Sequence, residues 1–83
     1  AVISAPTFPL IPHNLKLCQA NVIEVLVQED LSFDLEAIEE TLSQQQPKLA
    51  IFASPDNPTG GVVPVERIEH WLSRFPNTLF VID

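Results

Sequence analysis

The sequence predicts an α/β protein, a three-layer α/β/α sandwich around a parallel sheet with the element order β-α-β-α-β-α-β. Two observations carry this. Short apolar or β-branched runs at 2–4, 22–27, 49–53 and 78–82 alternate with segments whose apolar residues recur at spacings of three and four. Each connection is long enough to hold a helix, which parallel pairing requires and which makes the crossovers right-handed. The expected spatial order of the strands is 2-1-3-4, doubly wound about the first and third.

Val2 to Ser4 forms the first strand, and Pro6 and Pro9 then enforce extended or turn geometry. From about Pro12 to Ala20 a helix is expected: Ile11, Leu15 and Cys18 share one face, and Pro12 suits the first turn. Cys18 reads as a small buried residue on that helix. As the sole cysteine it can form no internal disulfide, which fits a reducing compartment. Val22 to Val27 is β-branched and apolar except for Glu24, which marks a more exposed face.

Asp34 can cap a second helix whose buried side is Leu35, Ile38 and Leu42, leaving Glu36, Glu39 and Glu40 to water. Leu49 to Ala53, bounded by Pro47 and Pro55, reads as a strand buried on both faces. Pro64 opens a third helix with an expected buried stripe of Val65, Ile68, Leu72 and Phe75 and with Glu66, Arg67, Glu69, His70 and Arg74 outward. Pro76-Asn77 ends it, and Thr78 to Ile82 is the last strand, expected to be buried.

At 83 residues and 46% hydrophobic content the chain is one globular domain, residues 1–83, with a thin core. A net charge of −7 disfavours nucleic acid, and no apolar stretch approaches the roughly twenty residues of a membrane span. Ala1-Val2-Ile3-Ser4-Ala5 lacks an initiator Met, a basic flank and an apolar h-region, so no signal peptide is expected. A start in mid-protein and a stop directly after a strand are expected of an internal fragment. Its unpaired strand edges would make it marginally stable and prone to associate. No Gly-x-Gly-x-x-Gly, Walker or Gly-x-Ser-x-Gly motif occurs, and His13, Cys18 and His70 lack metal-ligand spacing. Asn57-Pro58-Thr59 is no glycosylation acceptor, because its middle residue is Pro.

The most informative segment is Ser54-Pro55-Asp56-Asn57-Pro58-Thr59-Gly60-Gly61, directly after the third strand. It is turn chemistry first: Pro58 fixes φ, and Gly60 and Gly61 allow positive φ. In an open parallel sheet a ligand sits beyond the carboxyl ends of the strands, where strand order reverses. With order 2-1-3-4, Phe8, Asn57 and Asp83 fall on that edge and would bring together an aromatic face, an amide and a carboxylate.

These residues, with Ala5-Pro6-Thr7-Phe8, the acidic Gln28-Glu29-Asp30 loop and Val81-Ile82-Asp83, make the whole chain resemble the class I/II aminotransferases of fold type I. Within them it is most like the histidinol-phosphate aminotransferase group. The resemblance implies pyridoxal 5'-phosphate as cofactor, with Phe8 stacked on the pyridine ring, Asn57 bonded to its 3'-oxygen and Asp83 paired with its nitrogen. A carboxylate about 4 Å away at an effective dielectric of about 20 would favour the protonated ring by roughly 4 kcal/mol, about three pKa units. Family members often hold the bond before the motif proline cis, which makes Asn57-Pro58 a candidate.

The resemblance further implies an amino donor, a 2-oxo acid acceptor, a role in amino-acid biosynthesis, histidine biosynthesis included, and a cytoplasmic homodimer. The Schiff-base lysine, the phosphate-binding loop and the substrate-gripping arginine of the family have no counterpart here. Lys16 and Lys48 stand away from the expected site, so the fragment alone should be inactive. Ile11 replaces a second aromatic frequent in the histidinol-phosphate group. A threonine-phosphate decarboxylase-like enzyme and a non-catalytic α/β binding module stay open as alternatives.

Overall fold

The computed structural model describes residues 1–83 and contains seven elements: β1 (Val2–Ala5), α1 (Leu10–Leu17), β2 (Ile23–Leu26), α2 (Leu35–Gln45), β3 (Leu49–Phe52), α3 (Val65–Arg74) and β4 (Leu79–Ile82). The four strands form one parallel sheet in the order β2-β1-β3-β4, as the sequence predicts. Val2 lies between Ile23 and Ala50, and Ala50 lies beside Phe80, which fixes the register across the sheet. Right-handed crossovers on this order send α1 to one face and α2 with α3 to the other.

The face shared by α2 and α3 holds the core. Val2, Val25, Ala50 and Phe52 pack there with Ile38 and Leu42 of α2, Trp71 of α3, and Phe33 and Val63 from the loops. Aromatic rings run through it in sequence. Phe33 meets Phe52 edge-on at 6.2 Å, Phe52 meets Trp71 at 5.7 Å, and Trp71 stacks on Phe80 at 6.1 Å. Such pairs contribute about 0.5–1.5 kcal/mol each beyond their buried area.

α3 therefore presents a different stripe from the one its sequence suggests. Trp71 is wholly buried, whereas Val65 and Leu72, expected inside, are more than half exposed. Ile68, Trp71 and Phe75 also follow helical spacing, and rotating the helix to bury the largest side chain removes more apolar surface from water. The same rotation changes the role of Glu39, which was expected to face water. Its carboxylate is only 19% exposed and accepts from Trp71 Nε1 at 3.0 Å and from Arg74 at 3.0 Å, with His70 at 3.4 Å. Arg67, also expected outward, is partly covered and pairs with Glu36 at 3.1 Å. Burying the Trp71 indole N–H thus depends on one carboxylate from α2.

The capping of α2 follows the sequence: Asp34 accepts from Ala37 N at 3.0 Å. α1 is shifted. It begins at Leu10, putting Pro12 in its first turn, and it stops at Leu17 because Gln19 adopts a left-handed φ of 59°. Cys18 accordingly sits at the exposed helix end and is not a buried helical residue.

The other sheet face is thinly covered. Leu15 of α1 and Ile3 are buried, but Leu26, Leu79 and Val81 are exposed. An eight-residue helix is too short to cover four strands. β3 for this reason alternates, with Ala50 and Phe52 buried and Leu49 and Ile51 half-buried, in place of the burial on both faces that its composition suggests. β4, expected to be buried, is an edge strand and largely exposed. Glu24 is exposed, in line with its charge. No helix is long and apolar enough to cross a membrane.

Trp71→Ala is expected to lower unfolding stability by about 3–5 kcal/mol through the lost ring contacts. Trp71→Phe keeps most of the apolar surface, removes the donor to Glu39, and should cost less, about 1–3 kcal/mol. Urea unfolding of the two variants in parallel measures the difference.

Candidate functional site

β1, β3 and β4 end on the same edge, and the sheet continues slightly past them. Asp83 N donates to Phe52 O at 3.0 Å, and Ser54 N donates to Asp83 O at 2.8 Å. Asp83 is thereby held beside the start of the Ser54–Gly61 turn. The turn closes on itself through Asp56 N to Gly61 O at 2.7 Å and Gly60 N to Asp56 O at 2.8 Å. Its stem is fastened by Val63 N donating to Ser54 Oγ at 3.0 Å.

The two glycines serve different needs. Gly60 has φ of 76°, where a side chain is strained, and uses the freedom that the sequence allows both glycines, whereas Gly61 does not. A Cβ on Gly61 would stand 3.3 Å from the buried Phe33 ring, so that position is small because a core aromatic approaches it. The Asn57-Pro58 bond is cis, as are Ala5-Pro6 and Ser54-Pro55.

Across from this turn lies the loop after β1. Thr7 Oγ1 donates to Asp56 Oδ1 at 2.7 Å, joining segments 49 residues apart. Phe8 and Asn57 each follow a member of that hydrogen-bonded pair, and Asp83 stands one strand farther along. All three are exposed, Phe8 with 42% of its surface. The structure thus sets an aromatic ring, an amide and a carboxylate along one open edge of a switch point between oppositely directed crossovers. Lys16, on α1, and Lys48, beside the opposite end of β3, are both exposed.

Thr7, Asp56 and Thr59 join this edge through side-chain hydrogen bonds and have no role in the sequence-based expectation. Asp56 is 5% exposed and accepts from Thr59 Oγ1 at 2.9 Å as well as from Thr7. The Asp-x-x-Thr spacing could have signalled the local bond, since a short carboxylate readily meets a hydroxyl three residues on in a turn. The Thr7 bond depends on strand order and has no local signature.

The surface depressions of the chain lie elsewhere, along α2 and at the strand-start edge, lined by polar residues such as Ser43, Gln46, Arg74 and Asn77. That is the wrong edge of a parallel sheet for a ligand, and the polar lining offers little apolar surface to bury. The open edge at Phe8, Asn57 and Asp83 is therefore kept as the candidate site.

The acidic loop after β2 reaches the same edge. Asp30 accepts from the Ser32 hydroxyl at 2.6 Å and from Ser32 N at 3.0 Å. These two bonds, the side-chain one foremost, hold its carboxyl below the ordinary 3.8. A depressed carboxyl pKa stabilises the folded loop above pH 3.8 and ceases to do so as pH falls through the folded value. NMR titration should find Asp30 ionising below an ordinary aspartate, and Ser32→Ala should move it up toward 3.8.

Against known proteins, a family model described as aminotransferase class I and II matches residues 1–83. The chain is 38% identical over 80 residues to a histidinol-phosphate aminotransferase of Methanocorpusculum labreanum, covering 96% of this chain. It is 36% identical over 81 residues to that of Bacillus subtilis, covering 98%. It spans 22% of the length of each relative. Among solved structures, the histidinol-phosphate aminotransferase of Sinorhizobium meliloti in complex with pyridoxal-5'-phosphate superposes with a TM-score of 0.84 at 27% identity, covering 100% of this chain and 23% of that one.

Proposed function

The chain belongs to the class I and II aminotransferases, and from that premise we propose that the whole gene product moves an amino group between an amino acid or amine and a 2-oxo acid with pyridoxal 5'-phosphate as coenzyme. Residues 1–83 are on this reading part of its coenzyme-binding large domain. The observation that carries the proposal is the joining of the β1 and β3 loops by Thr7 and Asp56, with Phe8 and Asn57 next in sequence and Asp83 one strand away.

The residues fit such a coenzyme. A flat, cationic aromatic group with a ring hydroxyl asks for an apolar face, a hydrogen-bonding amide and a carboxylate, and those side chains stand exposed on one edge. When bound, the coenzyme supplies an electron sink for the pair left as the substrate loses its α-proton. Phe8 would lie against the ring and fix its plane. Asn57 would hold the 3'-oxygen through its amide. Asp83 would keep the ring nitrogen protonated, and its backbone bonds to Phe52 and Ser54 fix the main chain from which that carboxylate projects.

The lysine that anchors the coenzyme is on this proposal neither Lys16 nor Lys48, since one is on a peripheral helix and the other at the opposite sheet edge. Likeness to histidinol-phosphate aminotransferases supports histidinol phosphate as amino donor and histidine biosynthesis as the setting. A cytoplasmic homodimer belongs to the same proposal, carried by the family resemblance.

Incubating the whole gene product with the coenzyme, histidinol phosphate and 2-oxoglutarate, and following glutamate formation, tests the reading. Asp83→Asn should lower amino transfer by about a hundredfold or more, and Asn57→Ala should weaken coenzyme binding by about tenfold. Wild-type turnover in Asp83→Asn would sink the assignment of that residue, and no transfer with any amino donor would sink the activity.

A further inference from the structure

We infer that Asp56 is the positioning residue of this site: its buried carboxylate clamps the loops after β1 and β3 together and so fixes Phe8 relative to Asn57. The inference rests on the coenzyme reading above and concerns a residue to which that reading gives no contact with the coenzyme.

Four of the groups on Asp56 that can form hydrogen bonds are engaged at once. Its N–H donates to Gly61 O and its carbonyl accepts from Gly60 N, which ties it into the turn. Oδ1 accepts from Thr7 and Oδ2 from Thr59. Thr59 Oγ1 in turn accepts from Gly61 N at 3.2 Å, so the second hydroxyl is itself held in place. A side chain with two rotatable bonds, 5% exposed and bonded at both oxygens, has almost no freedom left. Thr7 inherits that fixity across the gap between the loops.

The chemistry of the partners shows what kind of clamp this is. Both are neutral hydroxyls, and the ion pairs of the chain are made by Glu36 and Glu39. The role of Asp56 is therefore geometric. An amide of the same shape can serve it, accepting from one threonine and donating to the other. An apolar side chain cannot, and would leave two threonine hydroxyls without their acceptor. Phe8 is tied to the start of α1 through its carbonyl, which accepts from Ile11 N at 3.0 Å, and Thr7, one residue before it, ties that segment to the turn after β3. Asn57 is likewise one residue beyond Asp56.

Four variants of the whole gene product test this: Asp56→Ala, Asp56→Asn, Thr7→Val and, as a control on the coenzyme site itself, Asn57→Ala. Pyridoxal 5'-phosphate affinity is read by equilibrium dialysis, the seating of the ring by the visible circular dichroism of bound coenzyme, and folding by melting of the coenzyme-free protein. Asp56→Ala and Thr7→Val should each bind about tenfold more weakly with a diminished dichroic band, while Asp56→Asn stays within about threefold of wild type. Thr7→Val keeps the side-chain volume and removes a single hydrogen bond, so it should melt below wild type but remain folded, and it carries the test even if Asp56→Ala does not fold. Wild-type affinity and dichroism in Thr7→Val, with Asn57→Ala impaired, would remove the clamp and leave the coenzyme reading standing. Asp56→Asn as impaired as Asp56→Ala would also overturn it. Failure of the unsubstituted protein to take up pyridoxal 5'-phosphate would overturn both.

Discussion

The pairing of β1 with β3 is the constraint on which the site depends. These strands are far apart in sequence, yet Val2 opposite Ala50 and Ile3 opposite Ile51 are the register pairs that join the β2-β1 half of the sheet to the β3-β4 half. The crossovers leave in opposite directions from this junction, so the chain after β1 and the chain after β3 head toward opposite sides of the sheet. The pairing is short, and past its end only side chains can keep the loops in a fixed relation. The Thr7 to Asp56 bond does so, extending the junction past the last ladder bonds into the region where a ligand would sit.

The helical layer explains why so short a pairing holds. Val2 and Ala50, one from each half, lie under the same layer of α2 and α3 and belong to one core with Trp71. Trp71 contacts Phe52 of β3 and Phe80 of β4, and its indole donates to Glu39 of α2. One side chain therefore links two strands and both helices of the layer. The exposed Glu36–Arg67 pair adds little by comparison, because surface ion pairs are worth about 0–1 kcal/mol. Apolar burial on one face, and not charge, sets the stability of this sheet.

Most of the architecture was legible because it rests on local rules. Apolar runs between prolines gave the strands, Asp34 gave the start of α2, and connection length gave parallel pairing and its hand. The departures have a common origin in competition between neighbours. Val65 and Leu72 fit a helical stripe as well as Trp71 does, and only the presence of Phe52 and Phe80 opposite decides which turns inward. Gln19 carries no sign that it will adopt positive φ, so the end of α1, and with it the exposure of Cys18, was illegible. Within residues 1–83, β3 and β4 are less covered than their apolar composition would allow, because composition reports what a strand could bury, not what covers it.

In the candidate site the same division separates the residues proposed to face a ligand from those that would hold them. Phe8, Asn57 and Asp83 are proposed from a resemblance of motif, and each stands exposed at the edge where strand order reverses. Asp56 sits next to Asn57 in the same motif, yet its meaning comes from Thr7, which sequence distance hides. Turn geometry alone would have been met by Asp56 and Thr59. The added bond to Thr7 makes the turn a fixture of the sheet, and it turns two adjacent residues to opposite uses, one buried and fully bonded, the other exposed with its amide free for a ligand. A site built on loops acquires the precision of a site built on strands when each exposed group is preceded by a residue anchored in this way, because the freedom left to it is that of one side chain rather than of a whole loop.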